Sequence, residues 1–174
     1  MEVWAAIVGA DGDCECSCSE ELFNSRMEFF ARPFVLEEGG MIMFAPPGTG
    51  KSYMAMLMAV AIDSGIQTLW PIQRGRVLWI NLERSPSSVV KRLGAINRAL
   101  GLPLSRKLIM LHKRGFSMAD VIEPARRIIR EQGINIVFLD SISRTGVGDL
   151  NENVTANRTI DTLSRLTPCW FALA

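Results

Sequence analysis

Eight residues, Ala45-Pro46-Pro47-Gly48-Thr49-Gly50-Lys51-Ser52, constrain this chain more than any others. They stand between a short apolar run, Met41 to Ala45, and a Met- and Ala-rich stretch, Lys51 to Ser64, that closes on Gly65, a residue suited to a helix C-cap. A strand that turns through glycines into a helix brings backbone N–H groups and the positive end of the helix to one concavity, which favours an anion. The segment follows the P-loop pattern at every position but its first. In that pattern Pro47, Gly48, Thr49 and Gly50 wrap the phosphates, Lys51 bridges the β and γ phosphates of ATP, and the Ser52 hydroxyl ligates Mg²⁺. Ala45 replaces a glycine, which is harmless at negative φ and strained at positive φ.

From residue 40 onward, short apolar runs alternate with longer stretches of helical period, the pattern of an α/β chain with a mainly parallel sheet flanked by helices. Strands are expected at Met41 to Ala45, Val77 to Leu82, Leu108 to Leu111, Ile134 to Leu139 and Cys169 to Ala174. Helices are expected over Lys51 to Ser64, from the Ser85-Pro86 start to about Leu100, over Met118 to Gln132 and over Asn153 to Leu166. At 174 residues the chain suits one domain, read as 33–174 after an acidic, cysteine-bearing segment, 1–32, in which Leu22 to Phe30 has the spacing of a short amphipathic helix. The run from Cys169 stops where the chain stops, so the loop expected beyond a parallel strand is missing and the domain reads as truncated at its C-terminus.

Two carboxylates extend the constellation. Ile134 to Leu139 is an apolar strand that delivers Asp140 at its C-terminal end, either as a Walker B ligand for Mg²⁺ opposite Ser52 or as a simple turn cap. Val77 to Leu82 delivers Glu83 at the same sheet edge, either as the base that orients the attacking water or as a surface carboxylate paired with Arg84.

Taken together, Ala45 to Ser52, Asn81-Leu82-Glu83-Arg84-Ser85 and Leu139-Asp140-Ser141-Ile142-Ser143-Arg144 resemble the RecA-like ATPases, and within them the hexameric RepA-type helicase branch. The resemblance covers residues 33–174. It implies that Lys51 and Ser52 bind nucleotide and metal, that Asp140 holds Mg²⁺ and that Glu83 activates water. It further implies a homo-oligomeric ring, hexameric in that branch, acting on single-stranded DNA. Ser143 to Asn153 resembles the family's polar loop after Walker B, and reads equally as a solvated connection. The polar sensor and intersubunit arginine of that family fall beyond Ala174. Two readings from other classes stand beside it: a small-molecule kinase using the same P-loop, and a nucleotide-binding module without turnover.

Composition narrows the rest. Nineteen Lys and Arg against eighteen Asp and Glu give a net charge of +1, so no whole-molecule field draws the chain to nucleic acid or an anionic membrane. The longest nearly apolar run, Met54 to Ile62, is too short to cross a bilayer, and Glu2 with the short run Val3 to Val8 does not make a signal peptide, so a cytoplasmic location is expected. Cys14, Cys16 and Cys18 crowd together far from Cys169, and reduced thiols are the expectation. Lone His112 excludes a two-histidine metal site, and no serine sits in G-x-S-x-G. Basic groups at Lys91-Arg92, Lys113-Arg114 and Arg126-Arg127-Arg130 read mostly as solvated helix faces in preference to contacts for DNA phosphates, and Trp70 as a loop anchor in preference to a base-stacking residue.

Overall fold

The computed structural model describes residues 27–68, 70–142 and 153–174. Cys14, Cys16, Cys18 and residues 143–152 of the polar loop lie outside them. An antiparallel pair, β1 (Phe29–Ala31) and β2 (Val35–Leu36), leads into β3 (Gly39–Met43), α1 (Lys51–Ser64), β4 (Val77–Asn81), α2 (Pro86–Ala99), β5 (Ile109–His112), α3 (Met118–Gln132), β6 (Ile136–Asp140), α4 (Asn153–Leu166) and β7 (Cys169–Leu173). The last five strands form one all-parallel sheet in the order β3-β7-β6-β4-β5. This is the α/β architecture expected.

Parallel strands need crossovers, and crossovers in one sheet share a right hand. The chain moves across the sheet in one direction from β3 to β4 to β5, then returns through β6 to β7. A reversal with constant handedness sends the later helices to the opposite face. Accordingly Val77, Trp79, Phe138 and Phe171 pack with α1 residues such as Ala59 and Ile62 and with Val89 and Leu93 of α2. The alternate residues Leu78, Ile80, Val137, Leu139 and Trp170 pack with Val121 and Ala125 of α3 and Leu163 of α4. Period-two alternation therefore feeds two cores, and the strands are apolar at almost every position.

On the α1 and α2 face three rings form a ladder. Trp79 pairs with Phe138 in register and their rings stack at 6.0 Å, while Phe138 and Phe171 stack at 5.0 Å. Such a cross-strand pair is worth about 0.5–1.5 kcal/mol beyond its buried area. Helix ends follow their local chemistry: Ser85 caps α2 through Ser88 N, Pro86 takes the first helical position, and Gly65 ends α1 at φ 74°.

Several boundaries differ from the sequence reading. The first parallel strand is Gly39–Met43, not Met41 to Ala45, and the fourth is Ile136–Asp140, not Ile134 to Leu139. Glycine weakens a strand on propensity grounds, but Gly40 pairs with Trp170, whose indole occupies the space a Cβ would need. Phe29 and Phe30 belong to a strand and not to the expected helix, because Phe30 and Ala31 are buried against the core beside Val35. Trp70 is a loop anchor as read: it packs against the core and meets Phe34 edge-on at 6.3 Å. Among the described residues no helix is long and apolar enough to cross a membrane.

A Cβ at position 40 would lie 2.0 Å from the Trp170 ring, itself nearly fully buried and tied to Ser164 by its indole N–H. Gly40→Ala is therefore expected to lower stability by about 1–3 kcal/mol, the usual cost of overpacking, read as a fall in the denaturant midpoint with the slope unchanged.

Candidate active site

Because every strand runs the same way, the expected functional residues gather at one edge. After β3 the chain exits to α1 on one face, and after β6 it exits toward α4 on the other, so a crevice opens between these exits over the end of β7. The cavity there is about 510 Å³, within the range of ligand sites, with Leu173 and Ala174 on its floor. Pro47, Gly48, Gly50, Lys51, Ser52, Glu83 and Asp140 all line it. Of the residues expected to contact nucleotide, Thr49 alone is not on its wall; its hydroxyl donates to Pro46 O at 2.8 Å and so braces the loop.

The loop owes its shape to two glycines. Gly48 has φ 83° and Gly50 has φ 92°, a region a side chain strains to enter, and space around both is open. Gly50 also precedes the first residue of α1, whose N-terminus has no capping side chain and whose first residues, Lys51 and Ser52, line the cavity. Among the described residues no non-glycine has positive φ, so Ala45 sits in the harmless of its two conformations. Lys51 Nζ donates to Ala45 O and Pro46 O, which holds the ammonium inside the loop.

Across the crevice, Ser52 Oγ donates to Asp140 Oδ1 at 3.5 Å although the two are 88 residues apart in sequence. Asp140 is 2% exposed, and burial pushes its carboxyl above the usual carboxylate range, with the negative charge of Glu83 adding to the rise. Arg84, the Ser52 hydroxyl and Arg92 oppose that rise. A buried acid beside a hydroxyl oxygen is a hard donor pair. Mg²⁺ holds its oxygens at about 2.0–2.1 Å in an octahedron, so adjacent ligands lie about 3 Å apart, and the Ser52–Asp140 pair fits with little adjustment.

Glu83 is paired with Arg84 and also stands on the cavity wall. Arg84 lies 3.6 Å from its Oε1, as the surface pairing supposed, yet the carboxylate lines the cavity and Ser141 Oγ donates to Oε2 at 3.2 Å. The turn that carries it is pinned by Asn81, which is fully buried. Asn81 Oδ1 accepts from Arg84 N at 3.0 Å, and Asn81 Nδ2 donates to Arg84 O at 2.7 Å and lies 3.2 Å from His112 Nδ1. Burial lowers the pKa of His112, which favours the neutral ring whose Nδ1 can accept that donor.

The sequence reading missed four contributors. Arg84 lines the cavity as well as pairing with Glu83, and Ser141 and Asn81 hold the Glu83 turn. Arg92 was read with Lys91 as solvated helix surface; it lines the cavity instead, its guanidinium 4.9 Å from the Tyr53 ring centre. Its one signal in the sequence is its place three residues after Val89 and beside Leu93, on the margin of the apolar stripe of α2. Of the other clusters, Arg126, Arg127 and Arg130 are exposed on α3 as expected, whereas Lys113 and Arg114 lie in the turn between β5 and α3 and not on a helix, with Lys113 resting on Phe116.

A five-stranded parallel sheet with helices on both faces and a glycine-rich anion loop after its first strand defines a P-loop nucleotide-binding ATPase fold. Within that class the family model described as AAA domain matches residues 31–170, and the chain belongs to this family of nucleotide-binding ATPases. No curated protein sequence matches it.

The raised Asp140 pKa carries a consequence for stability. A carboxyl whose folded value exceeds its unfolded one stabilises the fold below the ordinary carboxylate range, and that contribution is lost as pH rises through the raised value. Above that raised value the ionised Asp140 is a cost. Asp140→Asn is expected to raise the thermal midpoint of the protein, without added nucleotide or divalent cation, by about 2–4 °C at neutral pH, and the gain should shrink as pH falls. An unchanged or lower midpoint at neutral pH would contradict this account of Asp140.

Proposed function

We propose that this chain hydrolyses ATP as the motor domain of a ring-forming DNA helicase or DNA-dependent ATPase, similar to the RepA-type branch of the RecA-like enzymes. The observation that carries the hydrolytic part is the meeting of Ser52 and Asp140 at 3.5 Å with Glu83 on the same cavity wall. Lys51 and the amides of the loop would hold the β and γ phosphates, and Ser52 with Asp140 would hold Mg²⁺, which when bound would supply positive charge to the phosphate oxygens. Glu83 orients water toward the γ-phosphate, its carboxylate fixed by the Ser141 hydroxyl and the Arg84 guanidinium.

Assembly into a homo-oligomer, hexameric by the same resemblance, and action on single-stranded DNA belong to this proposal. A ring in which subunits move on loss of the γ-phosphate converts the chemistry into travel along a strand. A chain of net charge +1 must then make its DNA contacts through local groups.

The test is Mg-ATP hydrolysis with and without single-stranded DNA. Turnover stimulated by DNA is expected. Glu83→Gln should lower it by about 10² or more while ATP still binds, and Lys51→Ala should lose ATP binding. Phosphate transfer to a nucleoside acceptor in place of water would instead indicate a small-molecule kinase. Tight ATP binding with no turnover under any condition would indicate a binding module.

A further inference from the structure

We propose that Arg92 reads the γ-phosphate from within the same chain, so that this site distinguishes a nucleoside triphosphate from a diphosphate. The assignment rests on the nucleotide-site reading above and goes beyond it, because neither the loop motif nor the two carboxylates call for an arginine on α2.

Three observations carry it. First, Arg92 lines the cavity together with Ser52, Glu83 and Asp140. On that reading the loop amides would hold the β-phosphate region, and Ser52 with Asp140 would hold the metal. The wall beyond them, shared by Glu83 and Arg92, therefore faces the γ-phosphate.

Second, the guanidinium is held in a way that leaves it able to donate. Its contact is with the ring of Tyr53, 4.9 Å away, the residue after Ser52 on α1. A guanidinium held over a ring spends no hydrogen bond on that contact, so its N–H groups stay available for a planar, forked approach to phosphate oxygens. Among the described residues Arg92 makes no ion pair, whereas Arg84 is paired with Glu83 and Arg106 with Asp63.

Third, the charges on the wall favour a polyanion with its terminal phosphate present. Lys51, Arg84 and Arg92 face Glu83 and Asp140. Lys51 is shared between the β and γ phosphates in the reading above and Arg84 is paired with Glu83, so Arg92 is the further cation on this wall that can offset the charge a third phosphate adds. Since Tyr53 follows Ser52 on α1 and Arg92 lies on α2, the stack also ties the helix that begins at the loop to the helix that follows Glu83.

The test compares Mg²⁺ complexes of ADP and of a β,γ-imido analogue of ATP, which is not hydrolysed, by titration calorimetry on the whole chain. Arg92→Ala should weaken binding of the analogue about tenfold or more while ADP changes by less than about twofold, the loss expected for hydrogen bonds to a charged group. Arg92→Lys should fall between, since it keeps the charge without the fork. Tyr53→Leu should shift the analogue in the same direction by a smaller factor. Equal losses for both nucleotides, or no loss for either, with an unchanged thermal midpoint, would overturn the assignment while leaving the nucleotide site intact. Failure of the unsubstituted chain to bind either nucleotide would overturn the site reading itself, and the Arg92 assignment with it. Loss of both nucleotides in Lys51→Ala separates the two cases.

Discussion

Parallel pairing of β3, β7, β6, β4 and β5 is the constraint on which everything else rests. Parallel neighbours cannot be joined by tight turns, so each connection carries a helix, and the helices cover both faces of the sheet. Covered faces require apolar strands, and β4, β6 and β7 are buried at every position. Parallel direction also means that every strand ends at the same edge. A polar residue placed just at or after such an end leaves the core and enters the crevice without interrupting the ladder. Asp140 and Glu83 are placed in this way, and the P-loop follows the end of β3.

The crevice is electrostatically tense before any ligand is considered. Asp140 is buried at the end of a fully buried strand, close enough to the negative charge of Glu83 for its carboxyl to be pushed up. A cation or a positively charged side chain nearby relieves that tension. Arg84, Arg92 and the Ser52 hydroxyl supply part of the relief, and a divalent ion between Ser52 and Asp140 would supply more. Such an arrangement costs stability, and a bound divalent cation would offset that cost.

The polar groups that hold the site contrast with those that form it. Asn81 reaches no cavity atom, yet it ties both backbone groups of Arg84 and so sets where the Glu83 side chain leaves the sheet. Its burial is affordable because it is satisfied: one oxygen accepts, and the amide donates to Arg84 O and faces His112. Cys169, by contrast, is a buried thiol donating to Leu36 O, with burial pushing its pKa up to about 12, which suits a packing role for that residue.

Much of this was legible in the residues alone. The loop from Ala45 to Ser52, the strand ends carrying Glu83 and Asp140, the extents Lys51–Ser64, Met118–Gln132 and Asn153–Leu166, and the parallel α/β class all follow from local rules: glycines that permit positive φ, apolar runs of strand length, and caps at helix ends. Three things did not. The Gly39-Gly40 start of β3 depends on Trp170 from the other end of the chain, the β1–β2 pair on burial of Phe30, and the cavity role of Arg92 on a ring contributed by another helix. Sequence determined the chemistry available, because backbone conformation and residue type are local properties. Tertiary structure decided which groups meet, because Ser52 and Asp140, or Tyr53 and Arg92, become neighbours only once strand order is chosen, and that choice is made by packing across the whole sheet.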